Sequence, residues 1–256
     1  MRRLHLLVGI IFRDAANTLA AAVDSVLEQD SAGIRVSVLL VDDSSTDDWH
    51  GALGERLGIR DVHVRRVEVR SAAKARNFVL DEVERAFPDV DYVCRLDADD
   101  VLAGPGVLTE VAGLLRREQP DALLAGNMQK RDGVLLPLPN LASPELLESE
   151  QLLDRLARMA KGDPSAELPS CNTVVRRGLP LRYPVVTSAE DHWFTTALLL
   201  GSARVVVAPG LIYAVYRLRG GLTVRNEATD AYLASRRALL AFARDHVRDE
   251  VLHGSG

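Results

Sequence analysis

Along residues 1–125, near-continuous apolar runs alternate with segments of helical spacing. Residues 4–12 and 36–41 are runs of the kind that form strands buried on both faces. Val62, Val64, Val67 and Val69 mark a third strand, residues 90–96 a fourth and 122–125 a fifth. Between them, residues 17–29 place Leu19, Val23, Val26 and Leu27 on one helical side. Residues 47–57, 72–87 and 107–117 also read as helices, and Pro88 closes the 72–87 segment. This alternation predicts a doubly wound, mostly parallel sheet flanked by helices. Ligands of such sheets bind beyond the carboxyl ends of the strands.

The second half is less regular. Arg131-Asp132-Gly133 reads as a tight turn between short strands. Residues 144–161 and 190–200 read as helices, 172–177 and 204–207 as short strands, and 226–246 as a terminal helix. There is no internal repeat and no low-complexity linker. The expected organisation is one α/β domain over 1–225, a C-terminal helix over 226–250 packed on it, and a loose tail over 251–256.

Composition narrows the partners. The 256 residues carry a net charge of −5, so no basic surplus exists to neutralise nucleic-acid phosphates. Only Lys74, Lys130 and Lys161 are lysines among 31 basic residues. Arginine's planar fork suits phosphate and carboxylate. Two cysteines, Cys94 and Cys171, form no disulfide framework and no zinc set. No apolar stretch approaches the roughly 18 residues of a membrane span. Arg13 and Asp14 interrupt the first apolar run, which argues against a signal peptide. The expected location is the cytoplasm, with attachment to the inner membrane face as the alternative.

Asp97-Ala98-Asp99, at the end of the fourth strand run, carries the most chemistry. Residues two apart on a strand point to one side, so both carboxylates can converge on one small object. Two such groups repel unless a cation lies between them, and oxygen ligands suit Mg²⁺ or Mn²⁺. The plain alternative is an acidic turn that caps the next helix. Asp42-Asp43 ends the second strand run in the same way, so two acidic turns share one sheet edge. A carboxylate there can accept the N3–H of uracil or thymine, or a ribose hydroxyl. Ser44, Ser45 and Thr46 are natural N-cap residues for the helix that follows. Lys74-Ala75-Arg76-Asn77 opens a helix where cations oppose the dipole, so its basic groups suit nucleotide contact or a solvated face. Glu190-Asp191 opens another, where the dipole favours acids. Asp191 is the candidate general base, a role that needs a carboxylate facing an acceptor hydroxyl. Tyr216-Arg217-Leu218-Arg219-Gly220-Gly221 brings arginine beside flexible glycines, suited to a developing pyrophosphate charge.

The ordered set Ser25-Val26-Leu27-Glu28-Gln29, Val41-Asp42-Asp43-Ser44-Ser45-Thr46-Asp47, Ala75-Arg76-Asn77, Leu96-Asp97-Ala98-Asp99-Asp100, Glu190-Asp191 and Tyr216-Arg217 resembles family 2 glycosyltransferases with the GT-A fold. The resemblance runs from about residue 4 to 224. It implies a GT-A domain and transfer of a sugar, with inversion, from a nucleoside diphosphate donor, UDP- or dTDP-linked. It implies Asp191 as general base, with Glu190, His192 and Trp193 on the acceptor side. It implies donor contacts from Ile11, Asp14, Asp42, Asp43, Arg76, Asp97, Ala98 and Arg219. Asp43 would hold the base with Arg76 near it. Asp99 and Asp97 would hold Mg²⁺ or Mn²⁺ against the diphosphate. The acceptor would be a hydroxyl-bearing glycan, lipid-linked sugar or small natural product, and a homodimer is compatible.

Three departures stand out. Ile11-Phe12-Arg13-Asp14 replaces the family's Pro-Thr-aromatic-Asn turn, Ser44 replaces a common glycine, and Arg219 stands where relatives often have histidine. Arg219 in that place would stabilise the diphosphate directly and weaken metal dependence. Competing readings are a haloacid dehalogenase-like phosphatase using Asp97 and Asp99, a sugar nucleotidyltransferase, and a non-catalytic nucleotide-sugar-binding protein. The first expects its acidic loop after the first strand and leaves Asp42-Asp43 unexplained. The second expects a glycine-rich loop after strand one. An intact Asp191 counts against the third.

Overall fold

The structure is a computed structural model that describes residues 2–131, 133–137, 139–170, 172–186, 188–218 and 230–253, the last five by backbone alone. Cys171, Arg219, the start of the expected terminal helix at 226–229 and the tail from 254 lie outside the described residues.

Strands β1 (Leu4–Phe12), β2 (Ile34–Asp43), β3 (Val62–Val67) and β4 (Tyr92–Arg95) follow one another as the apolar runs predict. They pair in parallel in the order β3-β2-β1-β4. Alternate residues of β1 serve opposite faces. Leu6, Val8, Ile10 and Phe12 pack with α1 (Leu19–Leu27) and α4 (Val107–Glu118), while Leu7 packs with α3 (Ala72–Ala86). A Cβ on Gly9 would lie 2.6 Å from Val79 Cγ1, so only glycine lets α3 approach β1 this closely.

Beyond β4 the sheet is mixed rather than parallel. β8 (Thr173–Arg176) runs antiparallel between β4 and β6 (Ala122–Arg131). β6 pairs in parallel with β9 (Val205–Leu218), and β5 (Val101–Leu102) closes the far side antiparallel to β9. A short β7 (Val134–Leu135) pairs with β6. β6 and β9 run well past the 122–125 and 204–207 spans read from sequence, because register shifts near Gly126 let bent strands stay paired. The 47–57 helix is α2 (Trp49–Leu53) followed by a 3-10 turn, Gly54–Gly58. The 144–161 helix is likewise a 3-10 turn, Pro144–Leu147, followed by α5 (Ser149–Ala160).

Two further helices finish the fold. α6 (Glu190–Leu200) packs Phe194 and Leu198 on the α3 side of the sheet. α7 (Asp230–His253) packs Leu239 and Ala243 against Leu152, Leu156 and Leu200. A polar latch joins these helices through Glu167. His192 Nε2 lies 2.6 Å from its carboxylate, Arg236 donates to both of its oxygens at 2.8 and 3.0 Å, and Tyr232 Oη donates at 2.7 Å. Ser235 Oγ donates to the Ser188 carbonyl at 2.6 Å. Burial pushes the Glu167 carboxyl up, but His192 and Arg236 outweigh it and hold its pKa at about 2. Burial pushes the His192 imidazole down, but Asp191 and Glu167 outweigh that and raise it.

The latch sets a pH window. Glu167's contribution is present above its ordinary value of 4.5 and is lost as pH falls toward about 2. That of His192 is present below its ordinary value of 6.5 and is lost as pH rises through its raised folded value. Removing Glu167 leaves buried cations unpaired, so Glu167→Gln should cost about 3 kcal/mol in urea unfolding and flatten the alkaline fall in stability. A loss under about 1 kcal/mol would mean the latch is marginal.

Candidate active site at the carboxyl edge of the sheet

The carboxyl ends of β1, β2 and β4 share one edge, and the two acidic turns sit there as expected. On β4, Tyr92 and Cys94 face the α1 side and Val93 the α3 side. Alternation therefore turns Arg95 toward α3 and α6, at a position the pattern reserves for a core residue. Its side chain is 8% exposed. A buried guanidinium is costly unless paired. Arg95 is paired: Nη2 lies 2.9 Å from Asp97 Oδ2 and 3.1 Å from Oδ1, and Nε 3.2 Å from Oδ1. Its Nη1 lies 3.8 Å from Asp191 Oδ2.

Arg76, on the first turns of α3, completes the cluster. It reaches Asp97 Oδ1 at 3.3 Å through Nη2 and pairs with Glu190 through Nη1. Its guanidinium also lies over the Tyr183 ring, which stacks on Phe194. Asn77 exchanges two hydrogen bonds with the Tyr183 backbone and ties the loop before α6 to α3. Asp191 accepts from Ser170 Oγ at 3.0 Å. Ile11, Arg76, Arg95, Asp97 and Tyr183 line a cavity of about 30 Å³ beneath the cluster.

The three aspartates of the β4 turn differ in charge preference. Burial pushes Asp97 up, but Arg95 and Arg76 outweigh it and hold it below the usual range. Asp99 is exposed at the edge, and desolvation in the cleft followed by repulsion from Asp97 raises it. Asp100 is buried, accepts the Arg217 N–H at 2.9 Å, and is raised well above the usual range by burial and then by Asp97 and Asp99. The turn thus holds more carboxyl groups than its arginines offset, and the ones without an arginine resist ionisation. Among the described residues, no three His, Cys, Asp or Glu side chains converge as a metal set.

The second acidic turn is tied down differently. Asp43 accepts the backbone N–H groups of Val69, Arg70 and Ser71 at 2.8, 3.0 and 3.2 Å. Asp42 accepts the Ser45 N–H at 2.7 Å. Asp14 accepts both the N–H and the hydroxyl of Thr46, joining the first two strand ends. Asp14, Ser44, Arg70 and Ala189 all have positive φ, from 47° to 65°, as non-glycine residues. Ser44 holds this geometry with a hydroxyl bond to the Val67 carbonyl at 2.8 Å.

The expected site residues therefore fall into groups. Arg76, Asp97, Glu190 and Asp191 meet in one cluster, with Ile11 and Ala98 beside it and Asp99 at its open side. Asp14, Asp42 and Asp43 brace the neighbouring loops, and Arg76 faces Asp97 and Glu190 rather than the Asp43 turn. His192 and Trp193, read from sequence as acceptor-side residues, turn instead toward Glu167 and Phe242. The sequence reading missed Arg95, Ser170 and Glu167. A charged residue inside the apolar run 92–96 was the available signal for Arg95. Glu167 had none, because its α7 partners are 65 and 69 residues away. A cleft of about 620 Å³ lies at the opposite, amino edge. Two of its lining arginines, Arg2 and Arg35, are already paired with Asp91 and Asp61, so it offers weaker chemistry.

The profile described as Glycosyl transferase family 2 matches residues 7–179. No curated protein matches the chain. In fold, the chain is similar to S. aureus TarS 1–349 in complex with UDP, with a TM-score of 0.65 and 18% identity over 94% of this chain. It spans 65% of that structure's length, less than two thirds. TarS 1–349 in complex with UDP-GlcNAc matches with a TM-score of 0.65 and 19% identity, covering 95% of this chain and 72% of the other. The mannosyltransferase PcManGT from Pyrobaculum calidifontis, in complex with GDP-Man and Mn²⁺, matches with a TM-score of 0.57 and 18% identity, covering 98% and 76%.

Asp43→Ala would leave three backbone N–H groups without their acceptor. It should cost about 2 kcal/mol in chemical denaturation, and Asp43→Asn about half as much. Equal stability of all three proteins would show that Asp43 does not hold the β3–α3 loop.

Proposed function

Because this chain belongs to glycosyl transferase family 2 and gathers its acidic turn and its α6 acids into one cluster, we propose that it transfers a sugar, with inversion, from a nucleoside diphosphate donor to an acceptor hydroxyl. The observation that carries this reading is the joint pairing of Asp97 with Arg76 and Arg95, which also reach toward Glu190 and Asp191 respectively. It brings Asp97 and Asp191 to either side of one guanidinium, which supports a donor-side carboxylate facing a base.

In this reading Asp191 takes the proton of the acceptor hydroxyl. The freed oxygen bonds to the anomeric carbon, and the sugar–phosphate bond breaks with its electron pair leaving on the nucleoside diphosphate. Glu190 is held by Arg76, which leaves Asp191 as the acid next to Ser170. Asp43, Asp42, Asp14 and Ile11 lie along the nucleoside side, with uracil or thymine favoured because both present an N3–H donor. The similar structures holding UDP, UDP-GlcNAc and GDP-Man support a nucleotide-sugar donor and make GDP the comparison to exclude.

A divalent ion fits the donor chemistry of the β4 turn. Asp99 is raised by desolvation and then by the like charge of Asp97, and the second of these is what a cation relieves. Mg²⁺ or Mn²⁺ is commonly held by one or two carboxylates and completed by substrate phosphates, so a two-carboxylate site suffices. Asp99 would hold it, with Asp97 as the second ligand after exchange with its arginines. The ion would supply charge neutralisation to the leaving diphosphate.

Asp191→Asn should keep donor affinity and lose transfer by at least about a hundredfold. Normal turnover in Asp191→Asn with a dead Glu190→Gln would move the base to Glu190. Thermal shift with UDP, dTDP or GDP and Mn²⁺ should give about 2.7 kcal/mol at a hundred times the dissociation constant. That Mn²⁺-dependent part should vanish in Asp99→Ala, and its survival would remove the metal from Asp99.

A further inference from the structure

We propose that the hairpin formed by β6 and β7 docks on an anionic lipid surface and holds the carboxyl edge of the sheet against it.

The topology places this hairpin beside the acidic turn. β8 is antiparallel to both β4 and β6, so β4 and β6 run the same way and end on one edge. Lys130 pairs with Arg217 of β9, whose backbone N–H donates to Asp100 at 2.9 Å. From there the chain reads Lys130-Arg131-Asp132-Gly133-Val134-Leu135-Leu136-Pro137-Leu138-Pro139. Gly133 has a φ of 85°, and Lys130 and Arg131 pair with Leu135 and Val134. Val134 is 67% exposed and Leu135 53%, and Leu141 farther along is 42% exposed. Paired residues share a face, and neighbours along a strand take opposite faces. Each face of the hairpin therefore carries one exposed apolar side chain beside one basic one.

That two-sided arrangement selects the partner. A protein partner, or a second copy of this chain, covers one face of a strand pair and leaves the other in water. Symmetric pairing of two hairpins would also bring their basic residues together. A lipid layer surrounds whatever enters it and so takes both faces at once. Lys130 and Arg131 can lay their alkyl stems beside Leu135 and Val134 and leave their charges among phosphates. The attraction is local, because residues 126–142 hold these two cations and one acid, Asp132, in a chain of net charge −5. An anionic surface therefore attracts the hairpin and repels the rest of the molecule, which sets the orientation. An edge held in this way meets acceptors carried by lipid. That consequence rests on the family 2 reading given above, whereas the contact itself does not.

The test reads the contact without donor or acceptor. Full-length protein is sedimented with vesicles of phosphatidylcholine, alone or mixed with phosphatidylglycerol. It should bind the mixed vesicles and lose most of that binding as salt is raised. Val134→Ser with Leu135→Ser should weaken the partition by at least roughly tenfold. Lys130→Gln with Arg131→Gln should weaken it about fivefold per cation removed. Ile59→Ser, which trims another exposed apolar side chain at the amino edge, should leave it unchanged. Insertion is read separately in Val134→Trp, whose added emission should shift to the blue and be quenched by lipids brominated in their acyl chains. No binding to mixed vesicles overturns the proposal, and so does equal binding by the parent and the Val134→Ser, Leu135→Ser protein. Val134→Trp emission unmoved by vesicles that sediment the protein overturns it as well, and this readout does not depend on the paired variant folding. A dimer in light scattering that Val134→Ser with Leu135→Ser abolishes, with no vesicle binding, assigns the face to a second copy instead. Absence of sugar transfer with vesicle binding intact would bring down the assigned reaction and leave this contact standing.

Discussion

Two guanidinium groups, the buried one of Arg95 and the mostly covered one of Arg76, hold the carboxyl edge of this sheet together. They stand against three carboxylates, Asp97, Glu190 and Asp191, carried by the turn after β4 and by α6. Charges removed from water must find partners, so α3, β4 and α6 are constrained to meet at one place. The count leaves one carboxylate in excess, and Asp99 and Asp100 stand beside it with carboxyls raised by burial and by the neighbouring acids. An edge built this way resists closing on itself and favours an incoming cation. The antiparallel β8 matters here, because it sits beside β4 and leads, through Ser170, to the carboxylate of Asp191.

The parallel half of the fold was legible because its strands are buried on both faces and read as plain apolar runs. The acidic turns were legible for the same reason, since each ends such a run. The mixed half was not. β6 and β9 bend at Gly126 and near Gly210, and a bent strand breaks the short pattern by which sequence reading recognises one. Within the cluster, the presence of Arg76, Asp97, Glu190 and Asp191 could be read, but their pairing could not. Adjacent helical residues point about 100° apart, which suggests that only one of Glu190 and Asp191 reaches the cleft. Long arginine side chains from two other elements reach both. His192 and Trp193, expected on the acceptor side, turn toward Glu167 and Phe242, partners that no local pattern announces.

Strain is distributed unevenly in the molecule. Of the five non-glycine residues with positive φ among the described residues, Gln119 ends α4, an ordinary place for a left-handed residue. The other four, Asp14, Ser44, Arg70 and Ala189, lie in the loops around the carboxyl edge. Each such conformation costs roughly 1–2 kcal/mol. Side-chain bonds to backbone offset part of it, from Ser44 to Val67, from Thr46 to Asp14, and from the β3–α3 loop to Asp43. Loops fixed in unfavourable geometry before any ligand arrives need little ordering when one does.

The C-terminal helix has a consequence for anyone who handles this protein. Through Glu167, the guanidinium of Arg236 sits two contacts away from the residue next to Asp191. A shortened version ending before residue 230 would keep every strand of the sheet, and every acidic residue discussed at its edge, yet open His192 and Glu167 to water. Domain boundaries drawn from the sheet alone would thus cut contacts that reach the candidate site, and an inactive fragment of that kind would say nothing about the chemistry of the intact chain.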